Sequence, residues 1–130
     1  VTVEDVEAAL RASWSPASCD PSDLADWSAE NPARGQCGVT ALVLQDHLGG
    51  ELMIGDVVHA DGTRQGVHYW NRLPDGREVD LTWEQFRDGE RLVPGSERSL
   101  GHPERSPDSR VIGQYRALAA RVAAVLGEVR

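Results

Sequence analysis

Two blocks of the chain carry residues suited to acyl chemistry: "RGQCGVTA" at 34–41 and "GVHYWNRLPDGREVDLT" at 66–82. The first sets Cys37 in front of a run of helix formers. A thiol in the first turn of a helix faces the positive end of the helix dipole, which favours a thiolate. A nucleophilic thiol also needs a base beside it and a third group to orient that base. Of the four histidines, His47 lies near the far end of the helix that Cys37 starts, too far to reach it. His102 falls in a long loop-like stretch, and His68 falls on a strand. His59 closes the preceding strand segment.

The turn "LPDGR" selects His68. A three-residue loop with Gly76 left-handed pairs Leu73 with Arg77, Arg72 with Glu78, Trp70 with Asp80 and His68 with Thr82. Alternation then puts His68, Trp70, Glu78 and Asp80 on one face. Asp80 becomes a diagonal neighbour of His68, about 7–8 Å away at Cα and within side-chain reach. A slip of one residue would turn Asp80 to the other face. Cys37, His68 and Asp80 are therefore the expected nucleophile, base and orienting carboxylate. Gln36 and the Cys37 backbone N–H are the expected oxyanion donors. Trp70, sharing the His68 face, is the expected substrate contact.

Each of these has a plainer reading. Cys37 could be a buried structural thiol. A Cys19–Cys37 disulfide would close a short loop and block nucleophilic chemistry, although Cys19 reads more simply as a loop thiol. Trp14, Trp27 and Trp83 read as core or edge packing. Asn71 points to the opposite face, as a structural residue. Arg34 and Arg72 could bind a carboxylate, but an exposed Arg72–Glu78 ion pair is the simpler account. No CxxC or HxxxH spacing supports zinc, so no metal or other cofactor is expected.

The elements that must position these residues are legible as patterns. Residues 1–14 read as a helix, with Thr2 and Asp5 as a capping box and Val3, Val6, Ala9 and Leu10 on one stripe. Residues 15–23 read as a loop, 22–29 as a short helix and 30–35 as a turn. Gln36 to Leu48 reads as a helix ended by Gly49-Gly50. Residues 51–60 read as a strand with Gly55 as a candidate bulge. Strands at 67–73 and 77–82 follow, then a short helix beginning at 83–87. Residues 88–107 read as a loop, a candidate cover for the site. Residues 108–127 read as a helix capped by Asp108 or Ser109, with Tyr115, Leu118, Ala119, Val122 and Leu126 at helical spacing. The order gives one α+β domain over 1–130: N-terminal helices and a central Cys-bearing helix packed on an antiparallel sheet, then a C-terminal helix.

Cysteine on a helix N-terminus, followed by His and Asp on consecutive strands, resembles papain-like and transglutaminase-like enzymes. The blocks "RGQCGVTALVLQDHLGGEL" and "GVHYWNRLPDGREVDLTWEQF" together resemble the bacterial YunG-like family of small proteins. That similarity covers roughly residues 13–87, with a weaker echo in "QYRALAARV". It implies a Cys-His-Asp site on Cys37, His68 and Asp80 and names no reaction.

Composition narrows the rest. The chain has 130 residues, is 40% hydrophobic and 26% charged, and carries a net charge of −8. That is an ordinary globular balance. The acidic charge speaks against nucleic acid, which selects a basic patch. All 13 basic residues are arginine, a bias of GC-rich bacterial sequences. No apolar run is long enough to span a bilayer, and no signal-peptide pattern opens the chain, so a cytoplasmic location and free thiols are expected. At this length a second substrate-binding domain is not expected. That favours a small or dedicated substrate, an amide, ester or thioester, over general proteolysis. The competing reading is a non-catalytic binding or accessory module that keeps the cleft.

Overall fold

The computed structural model describes residues 2–83, 89–100 and 112–129. Three helices and an antiparallel sheet form the architecture. Helix α1 spans Val3–Ser13, α2 spans Cys37–Leu48 and α3 spans Ile112–Val129. Thr2 Oγ1 accepts from the Asp5 N–H and Asp5 accepts from the Thr2 N–H, so the capping box that starts α1 is complete. The expected stripe is inward: Val6, Ala9 and Leu10 are buried, as are Tyr115, Leu118, Val122 and Leu126 of α3.

Helix α2 is the centre of the core. All six residues from Val39 to Leu44 are buried, so this half of the helix has no solvent face. Thr40, the polar member of the run, accepts from the Trp14 indole N–H at 2.8 Å. Asp46, further along, accepts from the Tyr115 hydroxyl and ties α2 to α3. Gly49 ends the helix with φ +75°, and Gly50 (φ +85°) lets the chain turn under β2. A methyl at Gly50 would sit 2.2 Å from the Arg72 carbonyl oxygen.

The sheet is built from β1 (Glu51–Val58), β2 (Arg64–Arg72), β3 (Glu78–Val79), β4 (Arg91–Leu92) and β5 (Arg98–Leu100). The order is β3-β2-β1-β4, with β5 also paired to β1. Leu52, Ile54, Tyr69 and Asn71 share the face toward α2. Met53, Gly55, Val57, His68 and Trp70 share the other. Leu52, Met53, Ile54 and Val57 are all buried, so both faces of β1 are covered.

Three expectations change here. Residues 89–100 are not structureless: β4 and β5 extend the sheet along the edge of β1 opposite β2. They act as one interrupted strand. Where the chain bulges between them, the Asp56 N–H donates to Ser96 Oγ in place of a ladder carbonyl. The sheet irregularity lies between Val57 and Val58, not at Gly55, which stays in register opposite His68. Gly55 is needed for room instead: a methyl there would lie 3.1 Å from both the Trp70 ring and the Leu92 side chain. The expected strand 77–82 pairs only at Glu78 and Val79. Asp80 takes the Thr82 N–H on its own side chain, and such local side-chain bonds compete with ladder pairing.

The short helix expected at 22–29 is a 3-10 helix over Pro21–Asp26, preceded by a 3-10 turn at Pro16–Ser18. The turn at 30–35 is present, with Ser28 bridged to Asn31. The helix expected to begin at 83–87 lies at 84–87 outside the described residues. So do the caps Asp108 and Ser109, His102, and residues 101–107 of the expected loop.

Candidate active site

The "LPDGR" turn forms in the expected register. The Leu73 N–H donates to the Arg77 carbonyl at 2.8 Å, and Gly76 has φ +92°. Arg72 pairs with Glu78 and Asn71 with Val79. Asp80 follows immediately, and its Oδ2 lies 2.7 Å from His68 Nε2. The Thr82 N–H donates to the other carboxylate oxygen at 3.3 Å. Each oxygen of Asp80 thus has its own partner.

Cys37, the first residue of α2, shares a hydrogen bond with His68. Asp80 holds Nε2, which leaves Nδ1 for the thiol. Two contacts seat α2 against β2 here. Asn71 donates its side-chain amide to the Ala41 carbonyl at 2.8 Å. Gly38, beside Cys37, presents its bare Cα to the Tyr69 ring. His68 has no exposed surface. Burial opposes its positive charge, but the hydrogen bonds to Asp80 and Cys37 and their negative charges outweigh this, pushing its pKa up to about 9.

Trp70 stacks on His68 with ring centroids 6.0 Å apart and planes 19° apart. Its indole N–H donates to Glu78 at 2.7 Å. It is only 6% exposed, so it packs against the imidazole rather than offering an open substrate surface. Trp14 is a core residue, and Trp27 donates to the Pro32 carbonyl. Trp83, expected to pack, is 61% exposed; ladder pairing has already stopped at Val79, so strand alternation no longer turns its ring inward. The expected Arg72–Glu78 ion pair is absent. Arg72, set opposite both acids, lies 3.5 Å from Glu51, and Glu78 takes the indole instead.

Gln36 is placed for a different task from the one expected. It is fully buried, its Oε1 accepts from the Ser18 hydroxyl at 2.6 Å, and its Nε2 donates to the Ser15 carbonyl at 3.1 Å. The side chain points back into the 15–18 turn, and α2 has no side-chain cap as a result. Around it the same turn is stitched to the approach to Cys37. The Asp20 N–H donates to the Gly35 carbonyl, and the Cys19 thiol donates to the Arg34 carbonyl. Gly35 has φ +73°, and a methyl there would lie 2.5 Å from Cys19 Sγ. Both cysteines are free thiols. Burial first, then Asp23 and Asp20, push the Cys19 thiol up to about 11. Arg34 is buried and paired with Asp23 at 3.1 Å and Glu90 at 3.7 Å. That pairing had no signal in the sequence, because its partners come from two distant segments.

Gln36→Ala is expected to remove two buried hydrogen bonds and leave Ser18 Oγ and the Ser15 carbonyl without them. The expected loss is about 2–4 kcal/mol, read as a lower urea midpoint. A variant of unchanged stability would return Gln36 to the oxyanion role.

Among the described residues, no group of three His, Cys, Asp or Glu side chains is placed to hold a metal ion. None of the described helices is long and apolar enough to cross a membrane.

A family model described as YunG protein matches residues 2–127. The chain belongs to the YunG family. It is similar to "Uncharacterized protein YunG" of Bacillus subtilis (strain 168), with 39% identity over 85 residues, 65% of this chain and 64% of that protein. The match therefore spans a little under two thirds of the relative's length. No solved structure matches the chain. Both blocks that carry the site lie inside the span matched by the family model.

Proposed function

We propose that this YunG-family chain is a cysteine-dependent hydrolase or acyl-transferase of papain-like or transglutaminase-like design. The observation that carries the reading is the 2.7 Å His68–Asp80 contact on a ring that also hydrogen-bonds Cys37. Cys37 attacks the carbonyl carbon of an amide, ester or thioester. Its proton passes to His68, which returns it to the leaving group as the tetrahedral intermediate collapses. The product is a thioester on Cys37, released by water or by an amine. Asp80 holds the Nε2 proton and keeps Nδ1 facing sulfur. The oxyanion falls to the backbone N–H groups of the first turn of α2, which have no carbonyl partner within the helix. We place the substrate among small molecules or short peptides and the reaction in the cytoplasm.

Incubation with small p-nitrophenyl esters and alkyl thioesters tests this directly. Intact mass is expected to show one acyl adduct, mapped to Cys37 and lost in Cys37→Ser. If no donor leaves an adduct while Cys37 still alkylates, the fold serves as a binding or accessory module.

A further inference from the structure

Among the described residues His68 is held from at least three directions, and two of them are the partners already described. Asp80 takes Nε2, and Cys37 acts on the same ring through a side-chain hydrogen bond. The third is the stacked indole of Trp70, two residues along β2 on the same face. Strand β1 contributes no charge to this spot, since the residue opposite His68 is Gly55. The absence of a side chain there is what admits the indole, whose outer atoms lie 3.1–3.2 Å from where a methyl would stand.

A stacked indole helps a cation through its electron-rich face, within about 6 Å of the ring centroid. That help depends on the ring staying parallel to the imidazole. The only polar handle on an indole is its N–H. Here the handle is taken by Glu78, diagonal to Trp70 across the β2–β3 ladder, at 2.7 Å. Glu78 makes this contact although Arg72 stands directly opposite it; Arg72 pairs with Glu51 instead, at 3.5 Å. Geometry thus links a carboxylate at the mouth of the hairpin to the buried imidazole through one aromatic ring.

We infer that Glu78 is a positioning residue for His68, acting through Trp70. Its carboxylate locks the indole parallel to the imidazole and sets a negative charge behind the ring on which an imidazolium stacks. It touches neither the thiol nor the reacting carbonyl. The consequence for reaction rate rests on the Cys37–His68 reading above; the effect on His68 itself does not.

The test is a histidine ring titration by NMR alongside the pH profile of Cys37 alkylation by iodoacetamide, in wild type and in Glu78→Gln. Gln keeps the hydrogen-bond acceptor and the shape and removes the charge. Loss of one charge roughly 10 Å away is expected to lower the His68 midpoint by about 0.5 pH unit and to slow alkylation at pH 6 up to about threefold. Glu78→Asp is expected to restore part of both. A residue that only braced the hairpin would change thermal stability and leave the midpoint in place. A Glu78→Gln midpoint within about 0.1 unit of wild type overturns the inference. If Glu78→Gln fails to fold, Trp70→Phe decides: it keeps a ring and removes the N–H handle. Its midpoint must also fall, and an unchanged one overturns the inference. Should wild-type Cys37 react no faster than in His68→Gln while Glu78→Gln still lowers the midpoint, the positioning role stands and the acyl-transfer reading falls.

Discussion

Alkylation of Cys37 by iodoacetamide at pH 6 is expected to fall about tenfold in His68→Gln. The size follows from two opposed effects. An ordinary thiol of pKa ~8.5 is only about 0.3% thiolate at pH 6, so a base that takes the proton can raise the reactive fraction by on the order of a hundredfold. A less basic thiolate is intrinsically a poorer nucleophile, which takes back about a factor of ten. The net advantage is about tenfold, and it depends on His68 taking the proton. Gln is close to His in volume and keeps a polar group toward Asp80, so packing is largely preserved. Cys19 does not confuse the measurement: it is 1% exposed and its thiol is pushed up to about 11 by burial, Asp23 and Asp20. Equal rates in wild type and His68→Gln would sink the acyl-transfer reading.

The second large effect is a pH-linked stability held between His68 and Asp80. Burial disfavours the imidazolium, yet the hydrogen bond to Asp80 leads the opposing causes, and the pKa rises from 6.5 to about 9. The folded state therefore binds the proton more tightly than the unfolded chain. The stabilisation is full below about pH 6.5 and is lost as pH rises through about 9. A shift of that size is worth on the order of 3 kcal/mol. Cys37 contributes to the same rise in the His68 pKa, so the measurement belongs in a Cys37→Ser background. There the part owed to Asp80 remains. Urea midpoints are expected to fall between pH 6.5 and 9.5 in Cys37→Ser, with most of that slope absent in Cys37→Ser/Asp80→Asn. Parallel curves for the two proteins would show that Asp80 does not hold the His68 proton.

Much of the site could be read from local rules. The "LPDGR" turn set the register of β2 against β3, and that register put His68, Trp70 and Glu78 on one face. It also predicted where Asp80 would lie, although β3 ends one residue before it. Asp80 reaches His68 from outside the ladder, with its second oxygen on the Thr82 N–H. The YunG-like motifs were likewise visible as "GQC" and "HYWN", and the family match extends over nearly the whole chain.

Gln36 shows where local rules stop. Its place before Cys37 suggested an oxyanion donor, but a side-chain amide bonds whatever the fold brings to it. The fold brings the 15–18 turn. Trp70 shows the same limit: its face was predictable, but its partner was not, because Arg72 and the indole N–H both stand within reach of Glu78.

By itself the sequence determined the elements and the register, since helical periodicity, capping at Thr2 and the left-handed Gly76 act over a few residues. It also determined which residues could meet on one face of β2. Only the tertiary structure decided which of them do meet, and with what. The Cys37–His68 contact needs α2 seated on β2, where Asn71 donates to the Ala41 carbonyl and Gly38 faces the Tyr69 ring. The addition of β4 and β5 to β1, and the burial of Arg34 between Asp23 and Glu90, are also long-range pairings. Such pairings depend on which segments the packed core places side by side, and no spacing within a single segment encodes that.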